Sequence, residues 1–187
     1  MPGIRKHWFP KAYADRVARL RVPAGFLMVA AFAALSHPTP HSLEIGLPVS
    51  LCGLALRAWA AGHLAKDQRL AMSGPYACTR NPLYLGTLVT AMGLAAAGHS
   101  AILAVLFGVL FALVYLPAIE LEEQHLRDIL IGYSSYAARV PLLLPRWPER
   151  WGYDRFSFAQ YKKNREYQAA LGWVIGAAWL VARAIYK

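Results

Sequence analysis

Two stretches of the chain concentrate side chains able to do chemistry. The first is Gly74-Pro75-Tyr76-Ala77-Cys78-Thr79-Arg80-Asn81-Pro82-Leu83-Tyr84-Leu85-Gly86. Gly74-Pro75 reads as a turn, Asn81 as a helix cap and Pro82 as the first helical residue, where a missing N–H costs nothing. A helix starting here directs its unpaired N–H groups and positive end beside Arg80, a setting suited to a carboxylate or phosphate. The same residues also fit a plainer role, with Arg80 meeting lipid phosphate and Tyr84 marking the interface. The second stretch is Pro117-Ala118-Ile119-Glu120-Leu121-Glu122-Glu123-Gln124-His125-Leu126. Glu120 and Glu123 are three apart and share a helix face, with Glu122 expected to point elsewhere. Carboxylates this close at the end of an apolar run repel unless a cation, an ammonium group or ligand hydroxyls compensate. By composition alone, a solvated extension of the helix accounts for them equally well.

Other chemistries lack their residues. His37, His41, His63 and His99 stand apart from ligand sets, and His125 lacks the HExxH spacing of a zinc hydrolase, so no metal is expected. There is no GxxxxGK phosphate loop, no GxSxG elbow and no GxGxxG fingerprint, which excludes the usual soluble Rossmann route to a nucleotide cofactor. Cys52 and Cys78 are too few for a disulfide scaffold.

The elements that must position these residues are apolar helices. Of the 187 residues, 57% are hydrophobic and only 16% charged, where soluble domains carry roughly 25% charged residues, so the polar surface is too small to cover a water-soluble ball. The net charge of +10 favours anionic lipid headgroups or an anionic ligand. Nucleic acid would explain the charge but not the apolar runs, and is not expected. Residues 22–43 and 81–119 contain no Lys, Arg, Asp or Glu. The pattern predicts an all-α, polytopic membrane helical bundle of about five transmembrane helices, at approximately 17–35, 42–64, 82–97, 101–119 and 167–186, in a single domain over 1–187. At 1.5 Å per residue the fourth crosses about 28 Å, close to the hydrocarbon thickness. The run 17–35 is taken as a span rather than a cleaved leader because further spans come after it. Pro48 should bend the second span, and Pro117 can kink the helix beyond the fourth. Trp173, Trp179 and Tyr186 are spaced as interfacial anchors. Small residues at Gly86, Ala91, Gly93, Ala95 to Ala97 and Gly108 permit close helix contact, and would equally leave room for a bound group.

Loop charge sets an expected orientation. Arg5, Lys6, Lys11, Arg16, Arg19 and Arg21 precede the first span, and residues 36–42 carry no charge, which puts the N-terminus in the cytoplasm. Residues 66–80 and 120–166 then return to the cytoplasm, 98–100 is an external turn, and Lys187 lies outside unless the last helix rests at the interface. The Arg80 and Glu120–Glu123 clusters should therefore surface on the same side, near enough for one small ligand to reach both.

The ordered set resembles a known group. Gly53 and Leu56-Arg57-Ala58-Trp59-Ala60, then the Gly74 to Gly86 stretch, Glu120 to Leu126, Gly132-Tyr133-Ser134-Ser135-Tyr136, Val140-Pro141 and Pro145 resemble the integral-membrane methyltransferases of the isoprenylcysteine carboxyl methyltransferase and phospholipid methyltransferase superfamily. The resemblance covers about residues 53–145. It implies an S-adenosylmethionine-dependent methyltransferase of the bacterial inner membrane, acting on a membrane-embedded, lipid-like or isoprenoid-like acceptor, with membrane lipids as partners and a cytoplasm-facing cofactor site. It also implies that Tyr76, Arg80, Asn81, Pro82, Tyr84, Gly86, Glu123, Tyr133 and Tyr136 bind the cofactor, and that Arg80, Tyr84 and Glu120 belong to the catalytic region. The cofactor's carboxylate suits Arg80 or helix N–H groups, and its ammonium and ribose hydroxyls suit a carboxylate such as Glu123. Which glutamate faces the cofactor is left open. Asn81 stands where the family commonly has His, Ala77 and Cys78 where basic or aromatic residues are common, and Leu142 where an Arg follows Val-Pro. Two other readings are a non-catalytic membrane protein of the same fold, which those departures favour, and an NADPH-dependent membrane reductase, for which no cluster for the extra phosphate is present.

Overall fold

The computed structural model of the chain describes residues 9–66 and 68–186, so Arg5, Lys6 and Lys187, with the side chains of Lys11 and Arg21, lie outside the described residues. The helices are α1 (Lys11–Leu35), α2 (Pro40–His63), α3 (Pro82–Ala97), α4 (Ala101–Leu110), α5 (Leu116–Ile129), α6 (Tyr133–Arg139), α7 (Phe158–Lys163) and α8 (Tyr167–Ile185). A single 3-10 turn, Gly74–Ala77, precedes α3, and a π turn, Phe111–Tyr115, joins α4 to α5. The fold is all-α, with Pro40–His63, Ala101–Ile129 and Tyr167–Ile185 long and apolar enough to cross a membrane, and Val22–Leu35 and Pro82–Ala97 as shorter apolar helices. These are the five expected segments of a polytopic helical bundle.

Boundaries differ where apolar content and helicity part company. The first helix begins at Lys11 rather than 17, because Ala and Arg are good helix formers outside as well as inside an apolar run. The fourth does not stop at 119 but continues as one rod to Ile129, carrying the glutamates with it. Pro117 cannot donate to the Leu113 carbonyl four residues back. The rod answers with the π turn, and the Tyr13 hydroxyl donates to Leu113 O from α1 at 2.7 Å. Pro48 lies inside a helix that runs unbroken from Pro40 to His63.

The tightest pairing joins α2 to α3, antiparallel. A Cβ added to Gly46 would overlap the Ala97 backbone, one on Gly93 the Ser50 backbone, and one on Gly53 the Thr90 backbone; one on Gly86 would stand 2.6 Å from Arg57 Cγ. Small residues every three or four positions on both helices thus let the two backbones approach along their full length. The hairpin partner α4 contacts α3 far less, so the small residues serve α2 rather than α4.

Two poles result. At one, Ser42 Oγ donates to Ala97 O (2.8 Å) and His37 N to Gly98 O (2.7 Å), so the turns 36–42 and 98–100 meet. At the other, the loop after α2, the start of α3, the end of α5 and residues 130–166 gather. Helix α8 runs between them: Glu166 at its start pairs with Arg57 (2.5 Å), and Arg183 near its end donates to Ala33 O (2.7 Å). Trp173, expected as an interfacial anchor, instead donates from Nε1 to Ser50 Oγ at 2.8 Å, in the middle of α2.

Candidate active site

The Gly74–Gly86 stretch is held from both sides. Gly74 adopts φ +56°, and a Cβ there would lie 2.8 Å from the His63 ring, so both conformation and space call for glycine. The turn that begins there presents Tyr76, whose carbonyl accepts from the Tyr136 hydroxyl at 2.8 Å. Residues 139–146 then strap the motif down: Arg80 N donates to Pro141 O (2.9 Å), Arg146 N to Cys78 O (3.0 Å), and the Thr79 hydroxyl lies 3.2 Å and 3.1 Å from the Leu142 and Leu143 carbonyls. Asn81, expected to cap α3 with its side chain, makes no cap bond; its Nδ2 donates to Leu142 O at 3.0 Å. Through this bond Asn81 joins the strap to the motif.

The two chemical clusters meet at this pole. Arg80 Nε lies 3.2 Å from Glu123 Oε1, with both side chains nearly buried. The N–H is not aligned on that oxygen, and Nε has no hydrogen bond among the described residues. The Tyr133 hydroxyl donates to Glu123 Oε1 at 3.1 Å, and Arg127 approaches Oε2 at 3.8 Å, its guanidinium 5.6 Å from the centre of the Tyr133 ring. The Tyr84 hydroxyl donates to Glu122 Oε2 at 2.9 Å, and the Tyr84 ring stands edge-on to Tyr115. Tyr133 and Tyr136 pack edge to face at 5.8 Å.

A cleft of about 70 Å³ lies between these groups, lined by Tyr76, Arg80, Asn81, Pro82, Tyr84, Tyr133 and Tyr136 among the residues singled out in the sequence. Glu123 sits at its edge through the Arg80 and Tyr133 contacts. Gly86 does not reach the cleft; it faces α2, beside Gly53 and Arg57. Glu120 is absent from the lining, and its Oε2 accepts from Phe9 N at 3.1 Å. Glu122, expected to point elsewhere, lines the cleft with Leu126 and Leu130. The signal was present: residues 122, 126 and 130 lie on one helical stripe, and the two leucines mark its inward side. Also unforeseen is the loop after α2, which contributes Lys66 and Arg69 to the lining.

Burial, then the negative charge of Glu122 and of Glu166, pushes the Tyr76 hydroxyl far above its ordinary range. Burial and Glu123 raise Tyr133, with Arg80 and Arg127 opposing, and burial with Tyr133 raises Tyr136. All three phenols therefore stay protonated at neutral pH and serve as donors and ring faces rather than bases. Among the described residues no group of three or more His, Cys, Asp or Glu stands together as a metal ion would need.

The chain is similar to two curated proteins. One is the cobalt-zinc-cadmium resistance protein CzcN of Cupriavidus metallidurans, 34% identical over 111 residues, which are 58% of this chain and 51% of that protein. The other is the nickel-cobalt-cadmium resistance protein NccN of Alcaligenes xylosoxydans xylosoxydans, 33% identical over 106 residues, 54% of this chain and 50% of that protein. The match thus spans about half the length of each relative. No solved structure matches the chain. A family model described as phospholipid methyltransferase matches residues 49–131, from the middle of α2 through the Arg80 motif to the glutamates of α5. That segment is consistent with the superfamily of phospholipid and isoprenylcysteine methyltransferases.

Proposed function

We propose that the cleft binds S-adenosylmethionine and that the protein, acting as one membrane domain, transfers its methyl group to a membrane-embedded or lipid-like acceptor. The observation that carries this reading is the Arg80–Glu123 contact inside the matched segment, a cation and a carboxylate at 3.2 Å between four tyrosines. The donor set fits the cofactor. Arg80, with its unpaired buried Nε–H, suits the amino-acid carboxylate; Glu122 and Glu123 suit the ammonium and ribose hydroxyls; the rings of Tyr76, Tyr84, Tyr133 and Tyr136 suit a flat base. Bound there, the sulfonium supplies an activated methyl group for in-line displacement.

The chain's own residues then have to align an acceptor and exclude water. A volume of about 70 Å³ is small beside the roughly 300 Å³ of a ligand pocket, so Arg80 and Glu123 exchange their mutual contact for ligand contacts as the cleft opens. A carboxylate acceptor arrives ionised and needs only positioning. For an amine acceptor, Glu122 Oε2 is the proton-accepting atom at the cleft, oriented by the Tyr84 hydroxyl. The basic residues before the first span favour a cytoplasmic setting for this pole, and the apolar helices around it would give a lipidic acceptor a lateral route.

Calorimetric titration of the full chain in detergent with S-adenosylmethionine and with NADPH tests the reading. Saturable binding of the first alone, weakened at least tenfold in Arg80→Lys and Glu123→Gln with unchanged thermal unfolding, is expected. Binding of NADPH alone, or of neither, overturns it.

A further inference from the structure

Behind Tyr136 lies a second, larger cleft of about 640 Å³, separate from the one that holds Arg80. Tyr136 lines both clefts and forms the wall between them. The far side of the larger cleft is the segment Arg146-Trp147-Pro148-Glu149-Arg150-Trp151-Gly152-Tyr153-Asp154, with Arg139 added from α6. We propose that this cleft is a docking site for the headgroup of an anionic phospholipid of the surrounding leaflet.

Three observations carry it. The first is charge. Arg139, Arg146 and Arg150 line the cleft against Glu149 and Asp154. Asp154 is already engaged by Arg69 (3.1 Å) and Ser73 (3.3 Å), and Arg150 has no carboxylate partner among the described residues. Arg146 and Arg139 are oriented by backbone carbonyls rather than by acids: Arg146 Nη2 donates to Arg139 O at 2.9 Å and Arg139 Nε to Ser135 O at 3.3 Å. Guanidinium groups fixed in this way present their remaining N–H fork to a phosphate.

The second is depth. Trp151 stacks on Trp59 at 6.4 Å, and Ser157 N donates to Gly62 O at 2.9 Å. Both partners belong to the last turns of the span α2, so the cleft sits at the level where helix ends meet headgroups. The third is the exposed aromatic surface. Trp147 is 80% exposed and the Tyr153 side chain fully so, on a segment tied at its two ends by Arg146 N to Cys78 O and Ser157 N to Gly62 O. Amphipathic rings held outward beside arginines are what a membrane interface accommodates and what a water-facing loop has no reason to keep. Together they select a phosphate with apolar chains behind it over a free anion. The inference rests on the membrane fold and is independent of the cofactor reading.

The probe is dioctanoyl phosphatidylglycerol, titrated into the full chain in a neutral detergent, with dioctanoyl phosphatidylcholine and inorganic phosphate as comparison arms. Saturable binding of the glycerol lipid, at least tenfold tighter than either comparison, is expected. Arg150→Glu should weaken it about tenfold, and Arg16→Gln/Arg19→Gln, the same change of net charge on α1, should leave it within twofold. Equal affinity for the two lipids, or equal loss in both variants, overturns the proposal. Phosphate binding as well as the lipid overturns the lipid source. Thermal unfolding checks that Arg150→Glu, which removes no hydrogen bond or ion pair among the described residues, stays folded.

Discussion

Glu120, Glu122 and Glu123 occupy four residues of one helix and meet three different surroundings. Glu120 turns to the backbone of Phe9, Glu122 to the Tyr84 hydroxyl in the cleft, and Glu123 to Arg80 and Tyr133. A charge-assisted hydrogen bond contributes about 1.5–3 kcal/mol, so Glu122→Gln should weaken S-adenosylmethionine binding roughly tenfold or more. Glu120→Gln should change it little; calorimetry on both variants ranks them, and the reverse order would reassign the acidic role. The buried phenols add a pH dependence. Tyr76 has an ordinary value of 10.0 and is raised in the folded protein, so above pH 10 the unfolded chain releases a proton that the folded chain keeps. Its stabilising contribution is complete below pH 10 and is lost as pH rises toward the folded value, by at most about 1.4 kcal/mol per pH unit. Tyr76→Phe should flatten the fall in thermal stability measured between pH 9 and 11, where the wild type declines.

At the scale of elements, α2 and α3 act as one rigid pair, because small residues on both helices remove the side chains that would hold them apart. The site's first residues hang from the end of this pair. Gly53→Leu would drive a side chain into the Thr90 backbone and the Gly86 carbonyl. Overpacking of this kind costs about 1–3 kcal/mol, seen as a lower melting temperature in detergent, and cofactor affinity should fall with it. Gly25→Leu, with nothing near its Cβ, is the matched control and should leave both unchanged.

For the whole molecule, the Arg57–Glu166 pair links the bundle to its last helix. Arg57 also donates to the Thr87 hydroxyl, so one guanidinium ties α2, α3 and the start of α8 together beside the cleft. Both groups are largely buried, the glutamate side chain at 8% exposure. Removing one member of a buried pair leaves a charge without compensation and costs roughly 3–5 kcal/mol. Arg57→Met should therefore destabilise strongly, and Arg57→Met/Glu166→Leu should recover much of the loss. A double-mutant cycle in thermal unfolding measures the coupling, and additive losses would show that the pair does not hold α8.

Much of this architecture was legible in the chain itself, because apolar length, charge-free runs and the Asn81-Pro82 start are local properties that a bilayer reads one segment at a time. The five helices, and the arrival of Arg80 and the α5 glutamates at one pole, come from counting spans. Helix phase and partner choice do not. A π turn before Pro117 rotates the remainder of the rod, a strap from residues 139–146 takes the Asn81 side chain from its expected cap, and Trp173 finds Ser50 instead of the interface. Which glutamate enters the cleft, and which arginine bonds across helices, is decided by contacts between residues far apart in sequence. Such contacts exist only after the helices have packed, so the stripe of Glu122, Leu126 and Leu130 was legible in the sequence, but only the tertiary structure decided that it faces the cleft while Glu120 turns to Phe9.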